Sequence, residues 1–177
     1  MVRVLDVGSG LTPDYRATDA IDMGTKNSSR LKHDEDWHLY GQVIYLGVSK
    51  KKIKQLQEYR DKNINFIWHV NYNNQLPYPD KTFDLVVSHA SLASPSLSEP
   101  NAFREVYRVL KRGGKIEIGS SSLPKEWVNY ITQNMKNVGF KKIQLKKRII
   151  DTRLFTHEIK GVYKAKGFKN DVIYGVK

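Results

Sequence analysis

The residues best placed for chemistry stand near the start of the chain, in the stretch VLDVGSG at positions 4–10. An apolar run carries Asp6, and Gly8 and Gly10 then free the backbone on either side of Ser9. An open α/β sheet holds its ligand outside the carboxyl end of a strand, where glycines let it approach the main chain with no Cβ in the way. The third glycine of a dinucleotide fingerprint is absent, because Leu11, Thr12 and Pro13 follow, and a pyrophosphate cradle is disfavoured. A tight turn in any α/β protein would read the same way. A second cluster, HDEDWH at 33–38, sets two His around three carboxylates. Its spacing matches no established zinc signature and it lies in loop-like sequence, so no metal site is expected there. Cysteine is absent, which excludes disulfides, thiolate metal sites and a cysteine nucleophile.

These residues must be positioned by regular elements, and 177 residues are enough for one domain with a real core. Residues 2–7 read as a buried strand, followed by loop chemistry around a short strand at 17–23. QVIYLGV (42–48) is strand-like, and the segment 49–62 has Ile53, Leu56 and Tyr59 at helical spacing behind a possible cap at Ser49. INFIWHV (64–70) and residues 83–88 are further strands. SEPNAFREVYRVLKRGG predicts a helix capped by Ser98 or Asn101 and stopped by Gly113 and Gly114. KIEIGS is a strand, residues 125–138 a helix, and from 141 onward only antiparallel strands are expected. The expected fold is a single α/β domain over 1–177: a seven-stranded, Rossmann-like sheet, mostly parallel, closed by a C-terminal antiparallel hairpin.

Three stretches, in order and at these spacings, carry a family resemblance: VLDVGSG, LPYPDKTFDLVVSHASL and REVYRVLKRGGKIEI. Together they resemble the class I S-adenosylmethionine-dependent methyltransferases, especially the small-molecule-type subgroup with LPFPD.SFD and YRVLKPGG signatures. Arg112 stands where that last signature has Pro. The resemblance spans residues 2 to about 120 and implies an enzyme with S-adenosylmethionine as cofactor. It implies that Asp6, Gly8, Ser9 and Gly10 wrap the methionine part, and that an acid ending the second strand accepts from the ribose hydroxyls. A carboxylate can take both donors of a diol in charge-assisted bonds. ATDAIDM nominates Asp22, with Asp19 second; if VIYLGVS were the second strand, Ser49 would hold that place.

On the adenine side, Asn71 can supply an amide oxygen where relatives have Asp, and Tyr72 or Trp68 can stack on the base. Ser88, closing the fourth strand, joins the cofactor set, and the following SHASLAS borders the methyl, which makes His89 the candidate base. That segment lacks the Asn/Asp-Pro-Pro-Tyr signature of amino-methylating nucleic-acid enzymes. The helix that often precedes the first strand in this family is not expected here, so a homodimer partner or another subunit is one way to complete the site.

The charge offers a second functional class. Thirty Lys+Arg against 18 Asp+Glu give a formal net charge of +12, which favours polyanionic partners such as nucleic acid. In KKIQLKKR, Ile143 and Leu145 alternate with Lys142, Gln144 and Lys146, so that one face is basic. A methyltransferase-like module binding nucleic acid or protein without turnover is the alternative reading. No leader and no membrane span are expected, and the expected location is the cytoplasm.

Overall fold

The computed structural model describes residues 1–9, 14, 16–22, 64–68, 70–89, 91–95, 99–120, 123–150 and 168–177. Seven strands form one sheet: β1 Val4–Val7, β2 Asp19–Ile21, β3 Asn65–Ile67, β4 Phe83–His89, β5 Leu110–Ser120, β6 Lys141–Ile150 and β7 Phe168–Val176. Their order across the sheet is β3-β2-β1-β4-β5-β7-β6. The first five run parallel, and β7 pairs antiparallel with both β5 and β6. The mostly parallel α/β sheet with its antiparallel end is thus the one the sequence predicts.

Strand β1 lies between β2 and β4, so successive connections leave it on opposite sides. That reversal puts a crevice at its carboxyl end. All four β1 residues are buried. Register and the two-residue period separate two faces: Leu5, Val86 and Ile116 share one, and Asp6, Val87 and Glu117 share the other. The apolar core lies on the first face, where Leu5, Val7, Val86, Ile116, Ile118 and Ile173 join the packed helices.

Helix α1, Pro100–Val109, buries Ala102, Phe103, Val106 and Val109, and helix α2, Lys125–Val138, buries Ile131 and Met135. Helix α2 has the bounds its pattern predicts. It ends on Gly139 at φ +105°, whose N–H reaches the Lys136 carbonyl while Phe140 N–H reaches Met135. This left-handed residue with its back-bonded neighbours is a glycine stop.

Helix α1 differs from expectation at both ends. It starts behind Glu99, whose N–H donates to Asn73 Oδ1 at 2.8 Å; Asn101 lies inside it and donates to the Asn73 carbonyl. It ends at Val109, and Leu110 is already extended and paired with Phe83. Gly113 and Gly114 fall within β5, where the register against β4 jumps. The orphan carbonyls explain the early stop. Lys177 Nζ donates to Tyr107 O (2.6 Å) and Leu110 O (2.7 Å), while Thr82 N–H donates to Val109 O (2.7 Å). With those acceptors satisfied, no glycine cap is required.

On edge strand β6 the expected alternation is broken by a register shift between Lys141 and Gln144, with Lys142 at φ +51°. Ile143 packs on the core, whereas Leu145 is 48% exposed. The predicted strand at 42–48, the helix over 49–62, Ser49, Gly10 and the 33–38 cluster lie outside the described residues. Among the described residues no helix is long and apolar enough to cross a membrane, and no group of three or more His, Asp or Glu is placed to hold a metal ion.

Candidate functional site

The turn after β1 is built by short-range pairing with β2. Gly8 N–H donates to the Ile21 carbonyl at 2.9 Å, and Ser9 N–H reaches the same oxygen at 3.4 Å. Closing the turn on Ile21 brings the next residue, Asp22, alongside it. Asp22 is half-buried, and its own N–H and carbonyl bond the Ile67 carbonyl (3.2 Å) and the Val70 N–H (2.9 Å). Glycine at position 8 has two physical reasons. Its φ is +69°, and a Cβ there would overlap the Oγ and Cβ of Ser91.

Ser91 is a residue that sequence reasoning missed. Its Oγ donates to the Gly8 carbonyl at 2.9 Å, and the Tyr72 ring lies on the same side of Gly8, 3.6 Å from where a Cβ would stand. Tyr72 is 2% exposed, and burial raises its phenol. It supports the turn from beneath. Ser88, fully buried, donates to the Val7 carbonyl at 2.8 Å and accepts from Leu92 N–H at 3.0 Å, which fixes the chain after β4 against β1. Asn71 is exposed and its side-chain oxygen accepts from Asn73 N–H at 3.0 Å, a local Asx turn. Trp68 is half-buried, stacked on Phe66 with ring centroids 4.0 Å apart.

The two candidate carboxylates of β2 have different surroundings. Asp19, at the amino end of the strand, receives Arg3 Nε (2.9 Å) and Nη2 (2.8 Å), Asn65 Nδ2 (3.0 Å) and Thr18 Oγ1 (2.8 Å). Burial would raise its carboxyl, but these three partners hold it below the ordinary value. Asp22 stands at the carboxyl end beside the glycine turn. The strand adjoining β1 is therefore the short one at Asp19–Ile21.

Asp6, His89 and Glu117 belong to the face opposite the helices, because Asp6 pairs with Val87, Val87 with Glu117, and His89 with Gly119. Asp6 is 1% exposed; one oxygen accepts from Asp14 N–H at 2.6 Å, and Oδ1 has no partner among the described residues. Burial pushes its carboxyl up to about 7, against the lowering effects of His89 and the Asp14 N–H. His89 Nε2 lies 3.2 Å from Asp14 Oδ2, and its Nδ1 is buried without a partner among the described residues.

The LPYPD segment, which adjoins the site through Asn71 to Asn74, is held by the second half of the other motif. Arg108 donates to the carbonyls of Leu76 (3.1 Å) and Tyr78 (2.9 Å), to Asp80 Oδ1 (2.8 Å) and to Glu105 Oε2 (2.7 Å). Glu105 in turn accepts from Leu76 N–H at 2.8 Å. The Glu and Arg of REVYR are thus the clamp for LPYPD, which gives the co-occurrence of the two stretches a structural cause.

A sheet of this order, with a glycine turn at the carboxyl end of its first strand, is the architecture of a Rossmann-like methyltransferase domain. The family model described as "Methyltransferase domain" matches residues 21–118, more than half of the chain, and the chain belongs to that family. Among curated relatives, the ubiquinone/menaquinone biosynthesis C-methyltransferase UbiE of Escherichia fergusonii is 33% identical over 88 residues, 48% of this chain and 34% of the relative. The corresponding protein of Citrobacter koseri is 34% identical over the same lengths. The match thus spans about a third of these relatives.

Solved structures share the fold. A SAM-dependent methyltransferase of Thermotoga maritima, a possible histamine N-methyltransferase, aligns over 100% of this chain and 83% of its own at TM-score 0.56 and 14% identity. Phosphoethanolamine N-methyltransferase 2 of Haemonchus contortus, in complex with S-adenosyl-L-methionine, aligns over 99% and 48% at TM-score 0.55 and 14% identity. The cyclase SpnF aligns over 99% and 75% at TM-score 0.57 and 19% identity.

Proposed function

We propose that this chain binds S-adenosylmethionine at the carboxyl ends of β1, β2 and β4 and transfers its methyl group to an acceptor. Because the fold is shared with a cyclase as well as with methyltransferases, the reading rests on the site. One observation carries it: the Gly8–Ser9 turn closes on the carbonyl of Ile21, the residue directly before Asp22, which supports Asp22 as the residue that meets the ribose. The residues fit the cofactor chemically. It offers an ammonium and a ribose diol as donors, and the acceptors at these strand ends are Asp22 and Asp6, whose Oδ1 has no partner among the described residues. A cationic ligand near Asp6 would also offset the burial that raises that carboxyl.

When bound, S-adenosylmethionine supplies an electrophilic methyl on a sulfonium, so the protein's task is alignment. In this reading Gly8 and Ser9 shape the turn, Ser91 and Tyr72 brace it, and Asp22 orients the ribose. Asp19 keeps β2 in place through Arg3. Calorimetric titration with S-adenosylhomocysteine separates these roles. Asp22→Ala should weaken binding by about 1–3 kcal/mol, as for hydrogen bonds to a charged group. Asp19→Asn should lower the melting temperature while leaving the affinity of the folded protein within about twofold of wild type. Unchanged affinity in Asp22→Ala would contradict the assignment.

A further proposal concerns the edge of the sheet. Lys141, Lys142, Lys146, Lys147 and Arg148 lie exposed along β6, and this spacing of cations suits a phosphate-bearing polymer such as nucleic acid.

A further inference from the structure

Asp14 is the centre of a cluster that the methyl-transfer chemistry does not use. It is 3% exposed, and its carboxylate receives Arg16 Nε (2.9 Å), Arg16 Nη2 (2.8 Å) and His89 Nε2 (3.2 Å). Its N–H holds Asp6 Oδ2, and Arg16 Nη2 continues to Glu117 Oε2 at 2.8 Å. Asp14 and Arg16 are thereby tied to β1, β4 and β5. The second nitrogen of His89, Nδ1, is buried against Gly119, where a Cβ would lie 3.1 Å from it. One ring nitrogen is bonded and the other is shut against β5. That arrangement suits holding a neighbour better than taking a proton from an acceptor.

We propose that His89 is a positioning residue for the cofactor turn: by donating from Nε2 to the Asp14 carboxylate it fixes Asp14, whose N–H holds Asp6 on the strand that leads into Gly8 and Ser9, so that one imidazole proton sets how firmly the turn holds S-adenosylmethionine. This rests on the methyltransferase reading above. The charged groups facing the ring are Asp14 and Asp6, which favour imidazolium, and Arg16, which opposes it; Glu117 acts through Arg16, and β5 presents only Gly119. Burial also opposes the charge, but the bond to Asp14 with the two carboxylate charges outweighs it, and His89 stays protonated above its ordinary value. A protonated ring gives a charge-assisted bond. Deprotonation at the unpartnered Nδ1 would leave a neutral Nε2–H donor, and the bond to Asp14 would lose its charge assistance.

The test is calorimetric titration with S-adenosylhomocysteine at pH 6 and pH 8.5, on wild type, His89→Ala and His89→Gln. At pH 6 both variants should bind about tenfold more weakly than wild type, the worth of one charge-assisted bond. At pH 8.5 wild type and His89→Gln should converge to within about twofold. Asp6 titrates in this range and is itself coupled to His89, so Asp6→Asn versions of wild type and His89→Gln are titrated in parallel; a ratio that loses its pH dependence in that background overturns the proposal. Should His89→Ala not fold, the amide of His89→Gln, which can still donate weakly, carries the comparison. A variant-to-wild-type ratio that is the same at both pH values overturns the proposal while leaving the methyltransferase reading intact. Absence of binding by folded wild type overturns both.

Discussion

Replacing Gly8 by Ala probes the turn with one carbon atom, and the structure separates its cost into two parts. The backbone at φ +69° costs an L residue about 1–2 kcal/mol. The new Cβ must also displace Ser91, whose Oγ and Cβ occupy its position; overpacking of this kind costs about 1–3 kcal/mol. The expected loss of unfolding free energy is therefore about 2–5 kcal/mol. Ser91→Gly alone removes the bond to the Gly8 carbonyl, at about 1 kcal/mol. In the double variant the overlap is gone but the strained φ remains, so the two losses should not add. Urea unfolding of the four proteins, with unchanged m-values, gives the coupling directly. The cycle should show the double variant about 1–3 kcal/mol more stable than the sum of the singles predicts. Additivity within about 0.5 kcal/mol would refute the account of why position 8 is glycine.

Arg108→Ala should destabilise by about 2–3 kcal/mol, since it strips a charged donor from Leu76, Tyr78 and Asp80 and leaves Glu105 without its ion-pair partner; hydrogen exchange should show residues 76–80 loosened first. Lys177→Met should cost about 1 kcal/mol by uncapping α1, read as a shift in urea midpoint. Stability should also depend on pH in a defined sense. Despite burial, Arg16 and His89 hold Asp14 below 3.8, so its contribution is present above that pH and lost as pH falls. His89, held above 6.5, contributes fully below 6.5 and less as pH rises through its folded value. Asp6, raised by burial to about 7, disfavours the fold increasingly as pH rises from 3.8 to about 7. Urea midpoints should accordingly fall from pH 5 to pH 9, and a flat profile would count against the cluster. On β6, affinity for DNA or RNA should drop steeply with salt as phosphates release counterions, and no binding at low ionic strength would leave the charge to solubility.

The sheet was legible because each strand up to β4 is short, apolar and followed by loop chemistry, and because residues 125–138 carry a helical stripe that ends on Gly139. The stop of α1 was not legible, since its cap is Lys177, far along the chain, and no local pattern announces it. Among the site residues, Gly8 and Asp22 were nominated from sequence, and the structure sets them side by side at the ends of β1 and β2. The preference for Asp22 over Asp19 could not be secured from spacing alone. In the structure Arg3 engages Asp19, a contact across 16 residues that no local pattern announces. Ser91, Asp14 and Arg16 went unnoticed for a related reason. Each acts on a backbone or charge group brought near by sheet pairing, and serine or an Asp-x-Arg triplet in a loop has no signature of its own.

Binding of the cofactor by the wild-type chain is the measurement on which the account stands. Isothermal titration with S-adenosylmethionine and S-adenosylhomocysteine should give saturable one-site curves well below millimolar for both ligands. Neither ligand producing a saturable signal on the folded protein at millimolar concentration would contradict it.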